Sequence, residues 1–572
     1  MNIEHRTSNI EPGFSNLEPR LVPDLLLRSA ERFPDKEFIV QAGRRATYGE
    51  ILGEARAVEA WLQGDGLQAG DRAGILLDDP CQYIAVYFGI LLADGTVVAL
   101  NTQTSTRTLT KLLNDCQVSR LLTHRKFWKY VAPVLPQAPS VCSLAVAGGM
   151  PELGCDSPTL VALEEVLRGS VRRSTFDVRG SQGQGSTFEV RGCEAEDLEP
   201  SNIEHRTSNI EPAFPNIEHR TSNIEPRLSP LAQIIYTSGT TGDPKGVMLT
   251  HANLVANTRS IVQYLELTDQ DRAMAVLPFF YVYGNSVLLT HVAVGGTLVV
   301  NQSFVYPNLI LEQMLAEQVT GFSGVPSTFA ILLHRSGIRE HAFPHLRYVT
   351  QAGGAMSPRH AAQIREVLPA TDVYIMYGQT EASARLSYLP PADLERKAGS
   401  IGIAIPGVTL QVLDPQGKPV AVGEVGEIVA RGPNVMAGYW GKPEDTAQVL
   451  RAEGLWTGDL ARVDDEGYLT IVSRKSDMIK SGAHRLAPKE IEEILLEHPA
   501  VHECAVVGTP DEILGEAIQA VVVLKDGAPC TEKELVHHCR RNLPAFKVPH
   551  AVEFRDELPK TASGKIQKNK LL

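Results

Sequence analysis

Short apolar runs alternate with longer amphipathic stretches along most of the chain, and this alternation limits the possible folds more than any other feature. Arg72 to Leu77 precede Tyr83 to Leu92, and Thr297 to Val300 precede Asn308 to Glu317. A short apolar run bounded by turn residues favours a buried strand, whereas a longer amphipathic stretch favours a helix. The sequence therefore predicts an α/β fold built of layers.

Length and composition limit the class of protein. The chain has 572 residues, enough for roughly three or four domain-sized units, and its 43% hydrophobic and 21% charged residues are typical of soluble globular proteins. A net charge of -13 argues against general binding to nucleic acid, so any anionic ligand must be bound locally. Eight cysteines without a C-x-x-C pair indicate free thiols, and the polar N-terminus lacks a signal peptide. We expect a cytoplasmic protein that is not inserted in a membrane.

The last hundred residues carry the pattern of a separate small domain. Pro488 begins a predicted helix, Ala520 to Leu524 form a predicted strand, and Thr531 and Glu534 form a predicted capping box for a second helix. We expect an α+β domain over residues 476–572.

The sequence NIEHRTSNIEP occurs three times, at residues 2–12, 202–212 and 216–226. A unit with so few apolar residues cannot bury a face against its neighbours, as solenoid repeats do. We therefore predict a disordered tail over residues 1–20 and a low-complexity insertion over residues 170–230 in a large domain that spans 21–475. Deleting residues 171–227 should leave activity intact. A recognition segment for a partner is the alternative.

The stretch Leu231 to Gly246, LAQIIYTSGTTGDPKG, is typical of a loop that binds phosphate. Glycines let backbone N–H groups converge on an anion, while hydroxyls and a lysine add donors and charge. The alternative, a flexible Gly/Ser linker, fits poorly because the stretch lies between a predicted strand and a predicted helix. The candidate phosphate ligands are Thr237, Ser238, Gly239, Thr240, Thr241, Gly242 and Lys245.

With this loop, the sequence resembles the adenylate-forming (AMP-binding) superfamily, which includes acyl-CoA synthetases, aryl-CoA ligases, adenylation domains of peptide synthetases and firefly-type luciferases. Four further sequence blocks of that superfamily follow in the expected order, from residue 351 onward. The resemblance covers the chain from about residue 21, except for the inserted repeats. It implies a large domain of layered α/β subdomains, followed by a small mobile domain.

The block QAGGA at 351–355 and the block YGQTE at 377–381 each follow an apolar run, where α/β folds bind ligands. The resemblance implies that Tyr377 stacks on the adenine, Thr380 contacts phosphate and Glu381 binds Mg²⁺, a cation that prefers oxygen ligands. The other nucleotide-binding candidates in these blocks are Gly353, Gly354, Ala355, Gly378 and Gln379.

The three remaining blocks complete the implied site. Asp459 in WTGD would bind the ribose hydroxyls, Arg474 would contact ribose or phosphate, and Ser476 would lie at the hinge between the domains. Lys565 in PKTASGKI would stabilise the charge that redistributes during adenylation. The residues that the resemblance implies in catalysis are Lys565, Thr240 and Glu381.

The resemblance implies a two-step reaction. A carboxylate attacks the α-phosphorus of ATP and releases pyrophosphate, and the acyl adenylate then reacts with a thiol after the small domain rotates. Free CoA is the expected acceptor. The alternatives are a phosphopantetheine arm on a separate carrier protein, including amino-acid activation, and a non-catalytic nucleotide-binding relative. The presence of Lys565 and Glu381 argues against the last.

Two departures bear on the substrate. Tyr281 stands where many acyl- and aryl-CoA ligases have His, next to the other predicted acyl-pocket residues Tyr283 and Gly284, which suggests a shorter or more polar acid. Gly482 and Ala483 stand where the family often has two glycines that line the thiol tunnel. No Asp occurs between Leu277 and Val287, which argues against an α-amino acid.

Overall fold

Two mixed sheets covered by helices form the larger part of the fold. The computed structural model describes residues 19–41, 43–151, 159–169, 229–237, 244–301, 304, 306–481, 484–512, 514–525, 527–560 and 566–571. Apart from residues 19–20 and 229–230, the predicted tail and the predicted repeat insertion lie outside these residues.

The first sheet contains nine described strands and is parallel at its centre. Its strands are β1 (Glu37–Gln41), β2 (Arg44–Thr47), β10 (Arg272–Ala275), β11 (Thr297–Val300), β12 (Gly321–Gly324), β13 (Tyr348–Gln351), β14 (Asp372–Tyr377), β15 (Ser387–Leu389) and β16 (Ile403–Ala404). The order across the sheet is β16-β15-β14-β13-β12-β10-β11-β1-β2. The carboxyl ends of β12, β13 and β14 therefore lie side by side, because these three strands are parallel neighbours.

The second sheet contains eight described strands in the order β19-β9-β8-β4-β3-β5-β6-β7. Its strands are β3 (Arg72–Leu76), β4 (Thr96–Ala99), β5 (Arg120–His124), β6 (Ser143–Ala147), β7 (Thr159–Ala162), β8 (Leu231–Thr237), β9 (Lys245–Thr250) and β19 (Gly438–Tyr439). Strands β8 and β9 form an antiparallel hairpin around the predicted phosphate loop.

Two smaller sheets follow along the chain. The third sheet is antiparallel and consists of β17 (Thr409–Leu413), β18 (Val425–Arg431), β20 (Leu450–Arg451), β21 (Gly454–Val463) and β22 (Leu469–Arg474). The fourth consists of β23 (Ile479–Ser481), β24 (His484–Leu486), β25 (Val501–Asp511), β26 (Gly515–Leu524) and β27 (Ala551–Phe554). The fourth sheet has its own hydrophobic core, which agrees with the expected small α+β domain.

Helices cover both faces of the two large sheets. They are α1 (Val22–Arg32), α2 (Tyr48–Gly64), α3 (Pro80–Leu92), α4 (Thr106–Asp115), α5 (Trp128–Val131), α6 (Leu163–Leu167), α7 (His251–Tyr264), α8 (Val282–Val294), α9 (Pro307–Ala316), α10 (Pro326–Arg335), α11 (Pro358–Val367) and α12 (Pro443–Val449). The fourth sheet packs with α13 (Pro488–Glu497) and α14 (Glu532–Asn542). The predicted helix start at Pro488 and the predicted capping box of Thr531 and Glu534 are confirmed.

Alternating strand residues explain the layered core. In β10, Ala273 and Ala275 belong to a core shared with the second sheet, whereas Met274 contacts a separate core under α9, α10 and α11. Successive side chains of a strand point to opposite faces, so both faces of this sheet are buried. Helices α3 and α8 belong to the shared core and are buried almost all round, as expected for helices enclosed on every side.

A membrane-spanning helix requires both a minimum length and a high mean hydropathy, and the helices of the described ranges can be judged on both. None of them meets both requirements.

Candidate active site

The predicted phosphate loop connects β8 and β9, which pair as an antiparallel hairpin. Its residues Ser238, Gly239, Thr240, Thr241 and Gly242 lie outside the described residues. The flanking residues Thr237 and Lys245 are directly paired across the hairpin. The sequence predicted a strand, a loop and a helix, but the structure has β9 between the loop and α7. The second strand brings Lys245 back beside the point where the loop begins.

Lys245 and Glu381 both contact the side chain of Tyr439. Lys245 Nζ is 2.8 Å from Asp445 Oδ1 and 5.2 Å from the centre of the Tyr439 ring. The Tyr439 hydroxyl donates a hydrogen bond of 2.8 Å to Glu381 Oε1. Burial, together with the Glu381 carboxylate, raises the pKa of Tyr439 and keeps it a neutral donor. Neither Tyr439 nor Asp445 was predicted as a site residue, because neither belongs to a recognised sequence block of the superfamily.

A tight turn holds Glu381 in place after β14. The backbone N–H of Met436 donates a hydrogen bond of 2.9 Å to the Glu381 carbonyl oxygen. Gly378 lies against the backbone of Ala384, where a Cβ atom would be 2.0 Å from the carbonyl oxygen. Only glycine fits there, and this close approach folds the chain back beneath Gln379, Thr380 and Glu381.

Tyr377, Asp459 and Arg474 form one hydrogen-bonded group. The Tyr377 hydroxyl donates to Asp459 Oδ2 over 2.7 Å, and Arg474 Nε donates to Asp459 Oδ1 over 3.1 Å. Asp459 is 3% exposed, and burial raises the pKa of Tyr377 well above its ordinary value. Gly458, next to Asp459, lies within β21 with φ +77°.

The loop at 353–355 follows β13, next to the end of β12. Gly353 has φ +83°, a conformation that favours glycine, and Gln351 Nε2 donates a hydrogen bond of 2.8 Å to the Gly354 carbonyl oxygen. A side chain at Gly353 would meet Val325 at 3.2 Å. The loop with Gly353, Gly354 and Ala355 therefore lies at the strand ends where the sequence analysis expected ligand.

The predicted acyl-pocket residues lie at the start of α8. The Tyr281 hydroxyl accepts a hydrogen bond of 3.1 Å from Asn101 Nδ2, and burial raises the pKa of Tyr281 to about 12. Tyr283 OH donates to the Thr350 carbonyl oxygen over 3.0 Å. Gly284 is required by close packing, because a Cβ there would lie 2.2 Å from the Pro278 carbonyl oxygen.

The predicted residues near the hinge are described only in part. Ser476 is exposed and donates to Asp477 Oδ1 over 2.9 Å, between the end of β22 and the start of β23. Lys565, Gly482 and Ala483 lie outside the described residues. Lys560 and Ile566, on either side of the segment that contains Lys565, form an isolated antiparallel bridge.

Comparison with known proteins gives the family. Residues 26–440 match the AMP-binding enzyme family, and residues 490–565 match the AMP-binding enzyme C-terminal domain. The chain belongs to the AMP-binding enzyme family. A long-chain-fatty-acid–CoA ligase from Bacillus subtilis is 32% identical over 563 residues, which are 97% of this chain and 95% of that protein.

Solved structures of other adenylate-forming enzymes share the fold. The anthranilate CoA ligase AuaEII in complex with anthranoyl-AMP matches with TM-score 0.80 and 27% identity, over 96% of each chain. The O-succinylbenzoate coenzyme A synthetase of Bacillus subtilis, in complex with ATP and magnesium, matches with TM-score 0.75 and 27% identity, over 96% of this chain and 98% of that one. This AMP-binding enzyme is therefore an ATP-dependent, AMP-forming acid–thiol ligase of the acyl-CoA synthetase type.

Proposed function

We propose that this AMP-binding enzyme converts a carboxylic acid into its CoA thioester through an acyl adenylate held by the residues described above. The hydrogen-bonded group of Tyr377, Asp459 and Arg474 is the observation that carries the proposal. A buried carboxylate at the centre of this group has the chemistry to accept hydrogen bonds from two neighbouring ribose hydroxyls. Tyr377 would stack on the adenine, and Arg474 would contact ribose or phosphate.

The phosphates of ATP would lie between Lys245 and Glu381. Hydroxyl and backbone donors to the phosphates would come from the loop residues Thr237, Ser238, Gly239, Thr240, Thr241 and Gly242. Thr380, next to Glu381, would supply another donor. The Asp445 carboxylate that now pairs with Lys245 would compete with phosphate for that lysine, since both are anions. We therefore expect Lys245 to exchange Asp445 for phosphate when ATP binds.

The residues present suit a magnesium ion at Glu381. Its carboxylate is an oxygen ligand, and the hydrogen bond from Tyr439 to Oε1 orients it. Magnesium would neutralise charge on the pyrophosphate leaving group. Lys565 would stabilise the charge that moves between the carboxylate and the α-phosphate during adenylation. Rotation at Ser476 would then withdraw it and bring the loop with Gly482 and Ala483 to the adenylate.

Free CoA is the proposed acceptor, because Ala483 adds only one methyl group to the expected pair of glycines. The test is mass spectrometry of the products after incubation with ATP, Mg²⁺, CoA and a panel of fatty, aryl, hydroxy, dicarboxylic and amino acids. An acyl-CoA formed together with AMP supports the proposal. An acyl adenylate without thioester would contradict the choice of CoA and favour a carrier protein.

Lys565→Ala tests the role of the lysine in adenylation. We expect acid-dependent exchange of pyrophosphate into ATP to fall about a hundredfold or more, because a charge that acts on the transition state is removed. Lys570→Ala is the matched control, since Lys570 is exposed and close in sequence. Near-normal exchange in the Lys565 variant would refute the assignment.

A further inference from the structure

Arg385 is a buried arginine whose guanidinium has few partners. The residue is 3% exposed and lies between the turn at Glu381 and the start of β15. Among the residues that the structure describes, no carboxylate oxygen lies within 4.0 Å of its guanidinium nitrogens. A buried charge without a partner of opposite sign is unfavourable, so its retention calls for a compensating contact.

The contacts that do exist are to uncharged groups, among them the Tyr264 hydroxyl. Nε donates to the sulfur of Met376 over 3.3 Å, and Nη1 donates to the Ala384 carbonyl oxygen over 3.3 Å. A thioether is a weak acceptor, and this sulfur also accepts from the Tyr264 hydroxyl over 2.9 Å. A guanidinium carries five N–H donors, so an anionic group with two oxygens would be a strong partner for it.

The backbone holds Arg385 firmly in this position. Its carbonyl oxygen accepts hydrogen bonds from Asn434 Nδ2 over 2.8 Å and from Asn257 Nδ2 over 3.1 Å. The preceding residue, Ala384, has φ +108° and its carbonyl oxygen packs against Gly378. The Arg385 side chain therefore extends from a backbone that is held in one position. Selective recognition of a ligand requires such a fixed position.

The guanidinium lies against one of the predicted acyl-pocket residues, Tyr283. Its central carbon is 4.0 Å from the centre of the Tyr283 ring, a cation–π contact. The Tyr283 hydroxyl bonds Thr350, whose own hydroxyl is 2.8 Å from the Ser323 hydroxyl. Thr350 and Ser323 lie near the carboxyl ends of β13 and β12, where the acid is expected. Arg385 thus adds positive charge to one wall of that pocket.

We propose that Arg385 determines substrate specificity, and that the acid it selects carries a second carboxylate away from the reacting one. The proposal rests on the acyl-CoA synthetase function given above. A second carboxylate would accept two hydrogen bonds from the guanidinium, whereas a methyl-terminated acid would leave the buried charge unpaired. A site that hydrogen-bonds a polar group of its substrate strongly rejects analogues that lack this group.

Matched pairs of acids test this proposal. Each pair is an α,ω-dicarboxylic acid of four to ten carbons and the monocarboxylic acid of equal length, with the monomethyl ester of the diacid as a third member. Acid-dependent pyrophosphate exchange gives kcat/KM for the wild type, Arg385→Met and Arg385→Lys. We expect the wild type to favour one diacid over its methyl-terminated partner at least a hundredfold. In Arg385→Met this preference should be lost because KM for the diacid rises. Arg385→Lys should retain part of the preference.

A preference of the wild type for methyl-terminated acids would overturn the proposal. An equal loss on both members of every pair in Arg385→Met would also overturn it, because that result indicates a structural role. The KM for ATP should not change if the fold is intact. Thermal shift with each diacid alone separates the two proposals. If a diacid raises the melting temperature of the wild type but not of Arg385→Met, and the wild type shows no pyrophosphate exchange, the result would support this inference and contradict the proposed function.

Discussion

Gly378 and Ala384 approach each other so closely that a Cβ at Gly378 would lie 2.0 Å from the Ala384 carbonyl oxygen. We predict that Gly378→Ala destabilises the fold by about 1–3 kcal/mol, because backbone must move to admit the methyl group. It should also lower activity, since this contact shapes the turn that contains Glu381. Gly53→Ala is the control: Gly53 is exposed in α2 with open space around it, and alanine there should stabilise by about 0.5–1 kcal/mol. Thermal unfolding distinguishes the two, and equal midpoints would contradict the prediction.

Removal of the Asp459 carboxylate should have a larger effect than removal of the Tyr377 hydroxyl. Asp459→Ala leaves Arg474 and the Tyr377 hydroxyl without their shared acceptor. Because the Arg474 side chain is 41% exposed and partly screened by solvent, we expect a loss of about 2–3 kcal/mol. Tyr377→Phe keeps the ring and the pair with Arg474, so its cost should be about 1 kcal/mol. The readout is kcat/KM for ATP in pyrophosphate exchange. The prediction is wrong if the two variants lose activity to the same extent.

The hydrogen bond from Tyr439 to Glu381 should affect the requirement for magnesium. Tyr439→Phe removes a donor that orients the carboxylate, so we expect the Mg²⁺ concentration at half-maximal activity to rise about tenfold. Maximal activity at saturating Mg²⁺ should be nearly normal. Glu381→Gln is the comparison, and its activity should stay low even at high Mg²⁺. An unchanged Mg²⁺ dependence in Tyr439→Phe would count against a metal site at Glu381.

Local pattern was enough to predict the layered α/β fold and the order of the recognised blocks. The apolar run at Thr297 to Val300 became a strand, and Thr531 with Glu534 became a capping box, because both depend on residues that are near in sequence. The predicted roles of the site residues stay predictions. Apart from the phosphate loop, which its own glycines, hydroxyls and lysine indicated, these roles came from resemblance to a family.

Contacts between distant segments could not be predicted in this way. The bond between Tyr377 and Asp459 joins residues 82 positions apart, and that between Lys245 and Asp445 joins residues 200 apart. Arg385 follows two small residues in a polar stretch and would ordinarily be expected at the surface, yet the tertiary fold buries it. The strand β9 was missed because its pairing with β8 depends on the loop between them.

Stability should depend on pH through His251, which joins α7 to α1. Its Nδ1 accepts a hydrogen bond of 3.1 Å from the Val22 backbone N–H, and burial lowers the pKa of His251 from 6.5 to about 4, with Asp24 acting in the opposite direction. The unfolded state therefore binds a proton first as pH falls. This effect is absent above pH 6.5. As pH falls from 6.5 to 4 the free energy of unfolding decreases progressively, and the total loss at pH 4 is about 3 kcal/mol.

His251→Asn isolates this effect, because the amide oxygen can accept the same hydrogen bond without titrating. Urea unfolding between pH 7 and pH 4 should show a steeper loss of stability in the wild type than in the variant. Carboxylates titrate in both proteins, so only the difference between the two is informative. Parallel curves would show that His251 does not contribute.

Replacement of residues 171–227 by a flexible linker should leave activity within about twofold of the wild type, since loop length costs little free energy. These residues lie outside the described part of the chain, but the strands on either side limit the linker. β7 is five strand positions from β8 in the second sheet, a separation of about 24 Å at about 4.8 Å per strand. The six remaining residues, 168–170 and 228–230, reach only about 20 Å at about 3.4 Å each, which is less than that separation, so joining them directly would strain the fold. A Gly/Ser linker of about twelve residues relieves this strain. A folded but inactive linker variant would show that the repeats take part in function, and would favour their role as a recognition segment.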